Sequence, residues 1–162
     1  MFGVANPLLM REVERLRPGS ALDLGCAEGG DGVWLAGRGW WVTVVERLDL
    51  PEKFPDGEFD LISARFLHSP ADRGLASCRV LRRATESVAP GGYLVIIDHA
   101  ETPSWSEYLD CDFPTTKNVL DRLKLLDNWI IITNEVVRWE ETGACGFVET
   151  CADNVLTLKR LF

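Results

Sequence analysis

The sequence predicts a single α/β domain over residues 1–162, a mostly parallel sheet covered by helices and closed by an antiparallel hairpin. Three observations carry this expectation. Short β-rich runs alternate with segments of helical spacing as far as Leu126. A glycine-rich turn follows the first of those runs. Two long β-rich stretches, joined around Gly143, end the chain as a hairpin would.

The elements follow in order. Over residues 6–17, Leu9, Val13 and Leu16 recur at helical spacing, and Pro18-Gly19 stops the pattern. Residues 21–24 form a short strand entering the glycine turn, and 33–36 a short helix ended by Gly37 and Gly39. Residues 41–45 are a second strand, closing at Glu46, and 59–64 a third. Leu75, Cys78, Leu81, Thr85 and Val88 then trace one helix face, ended by Pro90-Gly91-Gly92. The fourth strand, 93–97, is almost wholly apolar, as a strand buried on both faces must be. Val119, Leu120, Leu123 and Leu126 mark a further helix, and 129–140 and 147–158 the two hairpin strands.

Composition bounds the function. The apolar share of 46% suffices for a packed core. A net charge of −8 repels a phosphate backbone, so nucleic acid is not expected as a partner. The basic groups Arg79, Arg82 and Arg83, and Lys159 with Arg160, read as solvated surface charge. Five cysteines without a CxxC pair or metal-ligand spacing indicate reduced thiols and no metal. The first 17 residues turn charged at Arg11 and hold no long apolar run, so neither a signal peptide nor a membrane span is expected. These features place the protein in the cytoplasm.

The string Asp23-Leu24-Gly25-Cys26-Ala27-Glu28-Gly29-Gly30 leaves a strand and opens a helix. Glycines there let a ligand approach the backbone closely, and free N–H groups at the helix start can hold an anion. Glu46, ending the next strand, stands where an acid accepts hydrogen bonds from ribose hydroxyls. This string resembles the first motif of class I S-adenosylmethionine-dependent methyltransferases, and Val42-Thr43-Val44-Val45-Glu46 resembles their second. Phe59-Asp60-Leu61-Ile62-Ser63-Ala64 is similar to their fourth strand, and residues 88–96 to the helix-to-strand passage after it. The resemblance implies a Rossmann-like methyltransferase sheet, with S-adenosylmethionine held by Asp23, Gly25, Ala27, Gly29 and Glu46.

The same resemblance exposes a deletion. In that family a helix and a third strand lie between the second and fourth strands. Here only residues 47–58 do, and they include Pro51, Pro55 and Gly57. Such a segment cannot form a helix of ordinary length. Extended, it reaches roughly 40 Å, enough to cross to the next strand. The expected sheet therefore lacks strand 3 and its preceding helix, and has the order 2-1-4-5-7-6 by the family's strand numbers. The lost strand carries an acid and a wall for adenine in the family, and Asp49 is the nearest replacement. Its loss weakens the case for cofactor binding. It also bares the edge of strand 41–45 beside Trp40 and Trp41, which a second copy or another chain would cover.

His68 and His99 fall just past strand ends, with Arg65, Asp98 and Glu101 beside them. Each histidine is either a general base or a loop cap, and Arg65 either a partner for a substrate anion or a surface ion pair. Cys26 reads as a small core residue. Residues 99–118, with Pro103, Trp105, Tyr108, Phe113 and Pro114, form the expected substrate loop. Two functions remain open: a methyltransferase acting on a small molecule, or a derived fold that no longer methylates. The second would serve as a subunit of a complex or as an enzyme of other chemistry in small-molecule biosynthesis.

Overall fold

In the computed structural model, which describes residues 3–25, 28–67, 75–106 and 112–162, six strands lie in the order β2-β1-β3-β4-β6-β5. They are β1 (Ser20–Leu24), β2 (Trp41–Val45), β3 (Phe59–Arg65), β4 (Val88–Glu101), β5 (Trp129–Thr142) and β6 (Val148–Arg160). β2, β1, β3 and β4 are parallel, while β6 runs antiparallel to both β4 and β5. That is the expected mixed sheet, in the expected order, without a third family strand.

Side chains along each central strand alternate between two cores, the period-2 signature of a sheet covered on both faces. Ala21, Leu61, Val95 and Val155 join Leu9 and Leu35 on the face of α1 (Pro7–Val13) and α2 (Gly30–Gly37). Leu22, Ile62, Leu94 and Leu156 join Leu81 and Leu123 on the face of α3 (Leu75–Ser87) and α4 (Thr116–Leu123). The Asn6 side chain caps α1, accepting from the Leu8 and Leu9 amides, and Pro7 opens the helix where its missing N–H is harmless. A Thr115–Asn118 capping box opens α4.

Three elements depart from expectation. α1 is shorter than the apolar spacing suggests, ending at Val13, although Leu16 still packs against the core. α4 lies about one turn earlier, because its capping box starts it at Thr116 and Lys124 leaves it in a left-handed conformation. β4 begins at Val88, not residue 93, because Pro90-Gly91-Gly92 forms a bulge within the strand. Gly91, at φ +80°, takes the turn that a side chain would resist, and Val88 still pairs with Phe59.

Residues 47–58 contain one 3-10 turn, Arg47–Asp49, and neither an α-helix nor a strand. Leu50 and Phe54 fold beneath the sheet against the α3–α4 core, and the Arg83 guanidinium lies 5.2 Å over the Phe54 ring. This short segment thus reaches β3 along the α3–α4 face, opposite the face that α2 covers. It does not pair with β2, which ends the sheet. The two tryptophans separate: Trp40 is buried at 6% exposure, and Trp41 stands 83% exposed on the edge strand. Among the described residues, no helix is long and apolar enough to cross a membrane.

Candidate functional site

Parallel strands β1 to β4 point their carboxyl ends to one edge of the sheet, and the expected site residues that are described gather there or just beneath it. Gly25, at φ +74°, turns the chain out of β1, and its amide donates to the Val45 carbonyl at 2.8 Å. A Cβ at Gly25 would lie 2.9 Å from Leu67 Cδ2, a side-chain end that can shift, so it is the left-handed conformation that calls for glycine. Gly29, at φ +78°, caps α2, and a Cβ there would meet nothing within 4 Å. The chain is thus open at the Gly29 Cβ position, and the start of α2 that follows is a helix N-terminus, the kind of position that suits an anionic group. Residue 3 lies against the loop and the start of α2, its amide donating to the Glu28 carbonyl at 3.3 Å and its backbone leaving no room for a Cβ at Gly30.

Asp23 sits beneath this loop and not in the opening. It is buried, and Ser63 Oγ donates to its Oδ1 at 3.3 Å. Burial, then the nearby charge of Asp31, pushes its pKa up to about 6, while Ser63 and Arg65 pull the other way. Glu46 is exposed just past the end of β2. Asp49 is held by Lys53, 2.9 Å away in the same turn, so its charge is already matched. Ala27 and His68 lie outside the described residues, as do Cys26 and Tyr108.

Arg65 is turned inward. Its Nε lies 3.1 Å from Oδ2 of the buried Asp31 in the first turn of α2. That oxygen accepts no hydrogen bond of good angle, so charge and not direction holds the contact. Asp31 Oδ1 accepts from the Asn6 amide at 2.7 Å. One buried carboxylate therefore ties the start of α1, the start of α2 and the end of β3 together. Of the two roles expected for Arg65, the structure shows an ion pair, made with a buried acid and not at the surface.

His99 leaves β4 on the α1 face. Its ring stacks on Phe66 with centroids 4.3 Å apart and planes 17° apart, and it meets Phe113 at 5.5 Å. Phe66 adopts φ +52°, a left-handed conformation strained for a bulky residue, and its amide donates to the Ile97 carbonyl at 2.9 Å. His99 Nδ1 lies 3.5 Å from Asp153 Oδ1, because the antiparallel register pairs His99 with Asp153 across β4 and β6. A cleft of about 580 Å³ opens in front, lined by Pro7, Leu8, Phe66, Val137 and Trp139 with the polar groups of Asn6, His99, Glu141 and Asp153. Its size suits a small organic molecule. A histidine beside a carboxylate, at the wall of an apolar cleft, can take a proton from a bound nucleophile.

Of the other expected residues, Asp98 points to the opposite face, where burial pushes its pKa up to about 7. Glu101 pairs with Arg138 at 2.8 Å. Trp105, in the expected substrate loop, packs over Gly143 of the hairpin turn, leaving about 3.1 Å for a Cβ there. Sequence reasoning missed Asp31, Phe66, Trp139, Glu141 and Asp153. Asp31 alone had a local signal, an acid in the first turn of a helix that follows a glycine loop.

The profile of the methyltransferase domain family matches residues 1–130. No protein of curated function matches the sequence. The fold is similar to TehB from Haemophilus influenzae, with TM-score 0.67 and 16% identity over 94% of this chain and 60% of that one. It is similar to an S-adenosylmethionine-dependent methyltransferase from Methanosarcina mazei, with TM-score 0.59 and 15% identity over 99% and 100% of the two chains. It is also similar to the N-methyltransferase NodS from Bradyrhizobium japonicum in complex with S-adenosyl-L-homocysteine, with TM-score 0.58 and 15% identity over 94% and 83%. This chain spans 60% of the TehB chain's length.

Proposed function

We propose that this chain, which belongs to the methyltransferase domain family, transfers a methyl group from S-adenosylmethionine to a small molecule held in the His99 cleft. The observation that carries this reading is the open, left-handed glycine turn at Gly25 and Gly29, with the exposed Glu46 at the end of the neighbouring strand. These residues fit the amino-acid and ribose parts of such a cofactor: the α2 amides suit its carboxylate, and Glu46 suits two hydroxyls. Ala27 belongs to the same loop by resemblance. Asp23 shapes that loop from below. When bound, S-adenosylmethionine supplies a methyl group on a positively charged sulfur.

The chain's own residues then hold and prepare the acceptor. Alignment of nucleophile and methyl group carries most of the catalysis in such a transfer. Phe66 and Trp139 position an apolar body, and His99, backed by Asp153, accepts the proton that the nucleophile gives up. His68 remains a second candidate base. We place the reaction in the cytoplasm, and we assign the bare β2 edge at Trp41 to a second copy of the chain or to another chain that covers it.

One observation favours a second reading, a fold that no longer methylates. Among the described residues no strand stands beyond β2, and Asp49 is engaged by Lys53 instead of being free for an adenine-side contact. Calorimetric titration with S-adenosylmethionine and S-adenosylhomocysteine separates the two. Micromolar binding is expected, and absent binding would favour the second reading.

A further inference from the structure

We propose that the His99 cleft selects a small molecule bearing a protonated amine on an apolar or aromatic body. The inference deepens the methyl-transfer reading and rests on it for the fate of the bound molecule, but not for binding. A second opening of about 260 Å³ adjoins the cleft, shares His99, Trp139 and Glu141 with it, and adds Glu101 and Trp105. Among the described residues lining either space there is no lysine or arginine, while three carboxylates are present: Glu101, Glu141 and Asp153. The nearby cations are already engaged, Arg65 by Asp31 and Arg138 by Glu101. A carboxylate or phosphate ligand would therefore meet like charge and, among the described lining residues, no lysine or arginine.

Asp153 supplies the independent observation. It is only 6% exposed, lines the larger cleft, and its Oδ1 accepts no hydrogen bond. His99 Nδ1 approaches that oxygen to 3.5 Å without the geometry of a hydrogen bond. A buried carboxylate oxygen in this condition is destabilising until a donor reaches it, and an ammonium group carries up to three donors. Glu141 stands on the same side, and among the described residues its Oε2 meets the weak Cys151 thiol donor at 3.7 Å. Trp139 adds a partly exposed aromatic face to the same wall, and such a face attracts cations. The apolar body would pack on Pro7, Leu8 and Phe66.

The test needs no cofactor. Phenethylamine, phenethyl alcohol and phenylacetate share one ring and differ in the charge of the end group. They are titrated separately into the full chain, with the tryptophan indole N–H resonances as readout and Trp139→Phe to assign the Trp139 signal. The amine should bind about 10-fold tighter than the alcohol, as a charge-assisted contact predicts, and phenylacetate weakest of all. Glu141→Gln should weaken the amine by about 5-fold and leave the alcohol unchanged. Should that variant fail to fold, the three-probe comparison on the natural chain still decides. Equal affinity for amine and alcohol, preference for the carboxylate, or no binding of any probe overturns the proposal. S-adenosylhomocysteine titrated into the same sample keeps the two readings apart. Its binding without amine preference overturns this inference alone, and amine preference without its binding supports this inference and counts against methyl transfer.

Discussion

Arg65 and Asp31, 34 positions apart in the chain, meet at 3.1 Å and join the end of β3 to the first turn of α2. Asp31 is buried and Arg65 mostly so, which makes the pair structural. Arg65→Met should destabilise the fold by about 2–3 kcal/mol, somewhat below the roughly 3–5 kcal/mol for breaking a fully buried pair. Urea unfolding should show a lower midpoint with an unchanged slope. An Arg65 that served only a substrate would leave the midpoint where it was.

Glu46 and Gly29 test the cofactor side. Glu46→Ala removes a charged acceptor worth roughly 1.5–3 kcal/mol, so S-adenosylhomocysteine affinity should fall about 10- to 150-fold. Gly29→Ala meets no protein atom within 4 Å, so its stability loss should be confined to about 1–2 kcal/mol of left-handed strain. Its methyl group projects into the opening where the ligand approaches, and affinity should fall with it. Calorimetry reads both variants. Unchanged affinity in each would mean that the pocket lies elsewhere.

Asp98 and Asp23 make stability fall as pH rises. Burial lifts the Asp98 pKa to about 7, against roughly 3.9 for a solvated aspartate. Below about pH 4 the group is neutral in folded and unfolded chains alike and carries no penalty. Between about 4 and 7 the unfolded chain gives up a proton that the folded chain retains, so stability drops with rising pH. Above about 7 the full penalty stands. Asp98→Asn should flatten much of this slope and stabilise the protein at pH 8 by up to roughly 4 kcal/mol. The slope that remains, ending near pH 6, belongs to Asp23. Thermal unfolding across pH 4–8 measures both, and an unchanged slope in the variant would remove Asp98 from the account.

Trp41 tests the sheet edge. It is 83% exposed, with Val44 at 53% on the same strand. Light scattering should find the chain associated, with itself or with the product of a neighbouring gene, and Trp41→Ser should reduce that association at least several-fold. A monomer that binds no neighbour would show that the β2 edge at Trp41 needs no partner to cover it.

Much of the fold was legible in the sequence because it depends on local pattern. Short β-rich runs marked the parallel strands, and glycine at 25 and 29 marked the turn. The run of Pro51, Pro55 and Gly57 ruled out an ordinary helix at 47–58. The same local reading misjudged Pro90-Gly91-Gly92, which looks like the end of a helix and is a bulge inside β4. Pairing with β3 holds the strand through the interruption, Val88 with Phe59 before it and Tyr93 with Leu61 after it, and no local rule reports that.

By itself the sequence determined which segments become strands and helices, their order, and the absence of a third family strand. It also marked the edge of the sheet where a ligand belongs, since every parallel strand ends there. Tertiary structure alone decided the partners at that edge. Arg65 turns toward Asp31 because α2 packs its first turn beside the end of β3. His99 meets Asp153 because one antiparallel register between β4 and β6, out of several that preserve the apolar alternation, places them opposite each other. Periodicity sets the face on which a side chain lies, whereas register and packing between distant segments set what it touches, and the chemistry of this cleft depends on the latter.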